Sequence, residues 1–95
     1  MLNVYRASNY RKAFIKLTKS GSFSNKDREK LEAIIITIKK EQKLDPRYKD
    51  HELSGEFNGI RECHIKPDLL LLYKIEQDIL TLVLLNLGSH SELFD

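Results

Sequence analysis

The sequence predicts an α+β domain: an N-terminal strand, a two-helix hairpin, then an antiparallel sheet of three or four further strands. Three observations carry that expectation. In the first half, apolar side chains recur at three- and four-residue spacing, at Tyr10, Ala13, Phe14 and Leu17 and again at Leu31, Ile34, Ile35 and Ile38. That is the period of a helix with one apolar face. After Gly59 the pattern becomes alternating or continuously apolar, as in residues 69–75 and 79–87, which is the habit of half-buried and central strands. The order β-α-α-β-β-β segregates the helices onto one face of a sheet.

Each element has local signals. Leu2 and Val4 alternate with Asn3 and lead into Tyr5, a short first strand. Ser8 or Asn9 supplies a cap for the first helix, Lys19 suits its negative end, and Gly21 stops it. Ser24-Asn25-Lys26-Asp27 opens the second helix as a capping box with Asp27 in the usual Glu or Gln position. Asp27 and Glu29 in its first turn and Lys39, Lys40 and Lys43 near its end complement the dipole, and Pro46 bars continuation. Residues 43–58 read as a polar loop, long enough to suggest function. In the strand that follows, Ile60, Glu62 and His64 face one way and Arg61, Cys63 and Ile65 the other. Lys66-Pro67-Asp68 and Glu76-Gln77-Asp78 are turns around a central apolar strand. The last strand, residues 79–87, puts Leu80, Leu82, Leu84 and Asn86 on one face. Ser89 and Glu92 are spaced as a second capping box, giving one helical turn at the C-terminus.

Ninety-five residues, 41% of them hydrophobic, suit one domain over residues 1–95 with a single modest core. Sixteen basic and fourteen acidic residues leave a net charge of +2. This balance does not demand a nucleic-acid partner, but it permits one if the basic residues cluster. The single cysteine, Cys63, rules out an intramolecular disulfide, fits a reducing, cytoplasmic setting and reads as a core residue. The first residues read as a strand rather than a signal peptide. The longest apolar run, residues 69–73, is far short of the about 20 residues needed to cross a bilayer, so no membrane association is expected.

All three histidines lie in the second half, in Tyr48-Lys49-Asp50-His51, Arg61-Glu62-Cys63-His64 and Gly88-Ser89-His90. His51, His64, His90 and Asp68 are titrating groups suited to acid–base chemistry, with Arg61, Lys49 and Lys66 as nearby cations. Tyr48 and Phe94 can stack on a base, for roughly 1–3 kcal/mol each. RNA cleavage needs this inventory: a base for the attacking 2'-hydroxyl, an acid for the leaving 5'-oxygen, and donors on the phosphate. A zinc site is disfavoured, because histidine separations of 13 and 26 residues match no common signature. The expectation is a site without metal or other cofactor.

Three ordered motifs sharpen this reading: Leu44-Asp45-Pro46 through Tyr48-Lys49-Asp50-His51-Glu52-Leu53-Ser54-Gly55, Arg61-Glu62-Cys63-His64-Ile65-Lys66-Pro67-Asp68, and Gly88-Ser89-His90-Ser91-Glu92-Leu93-Phe94. Nearly end to end, the chain resembles the YafQ-type branch of the RelE superfamily, the toxins of bacterial type II toxin–antitoxin pairs. The resemblance implies a compact RelE-like ribonuclease fold and an endoribonuclease (mRNA interferase) that enters the ribosomal A site and cuts mRNA. It also implies neutralisation by a cognate antitoxin, DinJ-like or similar. Carried over by position, it makes His51, His64, Asp68 and His90 catalytic: His90 the general acid, Asp68 or His64 assisting removal of the 2'-proton, His51 positioning or stabilising the phosphate. Lys49, Arg61, Lys66, Asn86 and Phe94 then bind RNA.

One position departs from the family pattern. The third motif is usually led by an arginine that contacts the scissile phosphate, and here that position is Asn86. Losing one such contact costs on the order of 10²–10³-fold in rate. The departure keeps open a second class, an attenuated toxin acting as an antitoxin- or ribosome-binding module. A plain RNA-binding domain is disfavoured by the modest charge and the few aromatics. Structural readings also stand beside the catalytic ones: a solvated His51, a His64 bonded to Glu62, Asp68 as a turn residue, Phe94 as a cover for the core.

Overall fold

The computed structural model describes residues 1–94. Strand β1 (Asn3–Arg6) leads into helices α1 (Ser8–Ser20) and α2 (Asn25–Lys39). Strands β2 (His51–Glu52), β3 (Arg61–Lys66), β4 (Leu69–Glu76) and β5 (Thr81–Gly88) follow, and a short helix α3 (His90–Phe94) ends the described chain. The sheet order is β1-β5-β4-β3-β2. As expected, the four later strands are mutually antiparallel. β1 joins the edge in parallel with β5, so the sheet is mixed. Parallel neighbours need a long crossover, and here α1 and α2 lie within it.

One face of the sheet carries the core. Cys63, Ile65, Leu69, Leu71, Tyr73, Leu82, Leu84 and Leu87 pack with Leu2, Tyr10, Leu31, Ile34 and Ile38. The helix periodicities therefore mark the buried stripes, with Ala13, Phe14, Leu17 and Ile35 partly covered. Ser24 and Asp27 form the capping box reciprocally, and Gly21 takes the left-handed conformation at φ 80°.

Several local expectations are corrected. The cap of α1 is Ala7, not Ser8 or Asn9, and it carries no side-chain bond. The Ala7 N–H donates to the Leu84 carbonyl at 2.9 Å, so sheet pairing runs up to the first helical residue and leaves no room for a cap. Helix α2 stops at Lys39 rather than running on towards Pro46: Glu41 reverses the chain at φ 59°, and the Leu2 N–H takes the Lys39 carbonyl. The loop over residues 43–58 is not bare. It contains one-turn 3₁₀ helices at Pro46–Tyr48 and Gly55–Phe57 and the two-residue strand β2. Ile79 and Leu80 precede β5 instead of opening it; both are exposed, and Leu80 is left-handed at φ 47°.

The most consequential correction is at Asn86. A register shift between Leu72 and Tyr73 places Asn86 opposite Leu72, while Leu84 and Leu87 take the core positions. The bulge thus turns Asn86 away from the face shared by Leu82 and Leu84 and onto the face opposite the helices.

Candidate active site

The sheet face opposite α1 and α2 gathers the candidate residues through strand register. Paired residues of adjacent strands share a face. One row runs His51–Glu62–Leu72–Asn86, and the next runs His64–Leu70–Gly88. His51 and His64 are therefore diagonal neighbours, with backbones roughly 7–8 Å apart. His90 follows Gly88 by two residues at the far end of the second row. Buried Leu70 and Leu72 floor the space between.

The ends of this face are fixed by polar contacts. Ser89 and Glu92 form the expected reciprocal cap, with the Ser89 N–H donating to Glu92 Oε1 at 2.8 Å and the Glu92 N–H to Ser89 Oγ at 3.1 Å. These contacts hold the Glu92 carboxyl below its ordinary pKa, the Ser89 backbone donor being the main cause. A Cβ on Gly88 would meet Glu92 Oε1 at 3.0 Å, so glycine lets α3 fold back against the strand end. Asp68, in the β3–β4 turn, accepts from the His90 backbone N–H at 3.2 Å. It ties the second motif to the third through the backbone rather than through the imidazole. Phe94 lies 4.9 Å from the His90 ring and edge-on to Phe57 at 5.3 Å, between ring centroids.

Two imidazoles have their tautomers set by their acceptors. His51 Nδ1 lies 2.7 Å from the Lys49 carbonyl. A carbonyl only accepts, so Nδ1 carries the proton and the neutral ring presents a bare Nε2. His64 Nε2 lies 3.1 Å from Glu62 Oε1. With Glu62 as the carboxylate, Nε2 donates and Nδ1 is left for other chemistry. Glu62 is 4% exposed. Asn86 Oδ1 accepts from the Leu87 N–H at 2.9 Å, which leaves the amide NH₂ as its free donor.

Arg61 and Lys66 do not join this set. Arg61 alternates away from Glu62; its guanidinium bonds both carboxylate oxygens of Asp50, at 3.3 and 3.1 Å, and the Tyr73 hydroxyl at 3.3 Å. The Tyr73 hydroxyl also donates to Asp50. Asp50 raises the Arg61 pKa through this hydrogen bond, and burial together with Asp50 lifts Tyr73 above its ordinary range. This cluster anchors the residue before His51. Lys66 reaches Asp27 Oδ2 at 2.9 Å and the Ser22 carbonyl at 3.1 Å, so it braces the start of α2. Lys49 is exposed. Cys63 is fully buried, its pKa pushed up to about 12 by desolvation, which suits a core thiol and not a nucleophile.

Sequence reasoning offered the His64–Glu62 hydrogen bond only as a structural alternative to catalysis, on the i, i+2 alternation, and the structure has that bond on the histidine face. Sequence reasoning missed Phe57, for which the loop offers no periodic signal. Among the described residues no group of three or more His, Cys, Asp or Glu is placed to hold a metal ion.

The family model for the bacterial toxin of type II toxin–antitoxin systems, YafQ, matches residues 6–95. The chain is 32% identical over 92 residues to the mRNA interferase toxin YafQ of Escherichia coli K12, a match covering 96% of this chain and 98% of that one. It is similar in structure to the metal-bound toxin from Helicobacter pylori, with a TM-score of 0.89, 44% identity, and 99% and 100% of the two chains covered. It is also similar to a chain of the Escherichia coli DinJ–YafQ complex, with a TM-score of 0.80 and 28% identity over the whole of both chains.

Proposed function

The chain belongs to the YafQ family of type II toxin–antitoxin toxins, and from that premise we propose that it is an mRNA interferase, an endoribonuclease whose site is the histidine-bearing face of the sheet. The observation that carries this reading is the placing of His51 and His64 in adjacent cross-strand rows, with His90 just beyond the strand that closes them. Three imidazoles bordering one sheet face, over the buried Leu70 and Leu72, are the arrangement that general acid–base cleavage of a phosphodiester requires.

The chemistry follows from the geometry. His64, braced by Glu62, takes the proton of the 2'-hydroxyl, helped by the carboxylate of Asp68. The 2'-oxygen bonds to phosphorus as the P–O5' bond breaks. His90 gives its proton to the departing 5'-oxygen, so one strand ends in a 2',3'-cyclic phosphate and the other in a 5'-hydroxyl. The free amide donor of Asn86 stabilises the charge that develops on the phosphate oxygens, and His51, in the same row, does so in its imidazolium form, with Nε2–H as the donor. Phe94, steadied by Phe57, stacks on a neighbouring base. No step of this scheme is routed through a metal ion.

The substrate is mRNA in the ribosomal A site, with Lys49 among the cations that meet its backbone, and the neutralising partner is a cognate antitoxin of the DinJ kind. A cytoplasmic location accords with that substrate, and no helix among the described residues is long and apolar enough to cross a membrane. Asn86 in place of the family arginine favours one second reading, an attenuated toxin that acts mainly by binding its antitoxin or the ribosome.

Primer extension on mRNA after induction of the wild type and of His90→Ala separates the two. We expect new 5' ends with the wild type and a loss of about 10²–10⁴-fold in cleavage rate with the variant. Equal growth arrest by both proteins, without new ends, would move the assignment to the binding module.

A further inference from the structure

A second concave site lies beside the histidine face, around the outer edge of β3. Strand β2 pairs with Arg61 and Glu62, so among the described residues β3 beyond Glu62 has no strand neighbour on that side. The 3₁₀ turn Pro46–Tyr48 and helix α2 close over it, leaving a cavity of about 350 Å³ lined by Lys30, Arg47, Tyr48, Lys49, His64 and Lys66. Such a volume lies within the range of about 300–1,000 Å³ usual for small-molecule sites.

The charges in it are unbalanced. Lys66 is committed to Asp27 at 2.9 Å. Among the described residues neither Lys30 nor Lys49 has an ion-pair partner, and Arg47 has only Asp45 at 4.0 Å. Among the described residues no acidic side chain lines the cavity. Like charges held together without a counter-charge favour an anion. The Arg47 guanidinium lies 4.9 Å from the Tyr48 ring centroid and donates to the Tyr48 hydroxyl at 3.1 Å. Both groups are therefore planar, mutually braced and able to stack on a base. His64 lines this cavity and also belongs to the histidine face, so a strand crossing His64 passes from one site into the other.

We propose that this cavity is a nucleotide subsite, holding one phosphate on Lys30, Arg47 and Lys49 and one base on the Arg47–Tyr48 pair, next to the phosphodiester that is cut. The assignment rests on the RNA-cleavage reading for the identity of the strand, but its test reads binding alone.

The probe is single-stranded RNA with every ribose 2'-hydroxyl methylated, which binds without being cut. Its affinity is measured by fluorescence anisotropy over a range of salt for the wild type, Lys30→Ala/Arg47→Ala, and Lys12→Ala/Lys19→Ala, which removes the same charge from α1. We expect the first variant to bind about tenfold or more weaker, with a log K against log salt slope shallower by about 0.7, the loss of one single-strand phosphate contact. We expect the second to bind like the wild type. Wild-type affinity and slope in Lys30→Ala/Arg47→Ala would overturn the subsite, as would an equal loss in both variants. A variant that keeps RNA but loses an acidic peptide would assign the cavity to a protein partner and overturn it too. Failure of the nuclease reading shows differently, as an absence of cleavage of unmodified RNA by a wild type that still binds the methylated strand.

Discussion

At His51 a backbone carbonyl selects the chemistry of a side chain: the Lys49 oxygen fixes the proton on Nδ1 and leaves Nε2 bare. Glu62 does the reverse for His64, binding Nε2. At Asn86 the amide oxygen is taken by the Leu87 N–H, so only a neutral donor remains where the family pattern has a full charge. The position is on the histidine face, and a longer cationic side chain there starts from a backbone already in the row of His51 and Glu62. Asn86→Arg should therefore raise the rate of RNA cleavage, by up to about 10²-fold if the charge reaches the phosphate. The measurement is the single-turnover rate on one RNA; no gain, or a fall, would place the phosphate clamp elsewhere. The presence of each of these residues was legible in the sequence. Which ring nitrogen or amide atom is free was not, because acceptors such as the Lys49 carbonyl belong to backbone whose position the fold sets.

Among the elements, α2 and α3 begin with reciprocal caps that the sequence displayed, because a cap involves residues only three apart. What it hid is the second duty of Asp27. The Lys66 ammonium from the end of β3 bonds the same carboxylate that caps α2. That bond, with help from the Ser24 N–H and against partial burial, holds the Asp27 pKa below its ordinary value. A depressed carboxylate contributes stability that is present above its unfolded pKa, near about 4, and is lost as pH falls through the folded value. The gap in unfolding free energy between wild type and Asp27→Asn should therefore be widest above about pH 4 and close as the solution is acidified further. Denaturant titrations at several pH values measure it, and a gap that stays constant into acid would show that the Lys66 contact contributes nothing. The bulge in β5 is the element-scale feature that periodicity could not give. Strict alternation puts Asn86 with Leu82 and Leu84, and one extra residue reverses that.

Over the whole molecule, a single apolar layer between the sheet and two helices supports everything on the far face. Leu71 is fully buried in the central strand β4, one residue from both floor leucines of the site. Leu71→Ala should destabilise the protein by about 2–5 kcal/mol, a large share of the about 5–15 kcal/mol typical of a folded domain. Thermal and urea unfolding both report it, and a loss under about 1 kcal/mol would mean that the core closes around the deleted atoms. Long-range polar contacts add position to this layer. Asp50, Arg61 and Tyr73 come from the loop, β3 and β4 and fix the backbone just before His51. No local pattern links residues 11 and 12 positions apart, so the sequence offers Arg61 as a phosphate ligand when its charge is spent on Asp50.

The sequence by itself determined the α+β class, the two amphipathic helices, both capping boxes and the three motifs that hold the histidines. Each of these depends on neighbours within a few residues, where side-chain period and backbone preference act directly. Only the tertiary structure decided that β1 enters in parallel, that Asn86 is on the histidine face, that Arg61 and Lys66 are bound to carboxylates, and that Lys30 and Arg47 line one cavity with His64. Those outcomes depend on which strands pair and in what register, and register is fixed by packing the whole apolar layer at once.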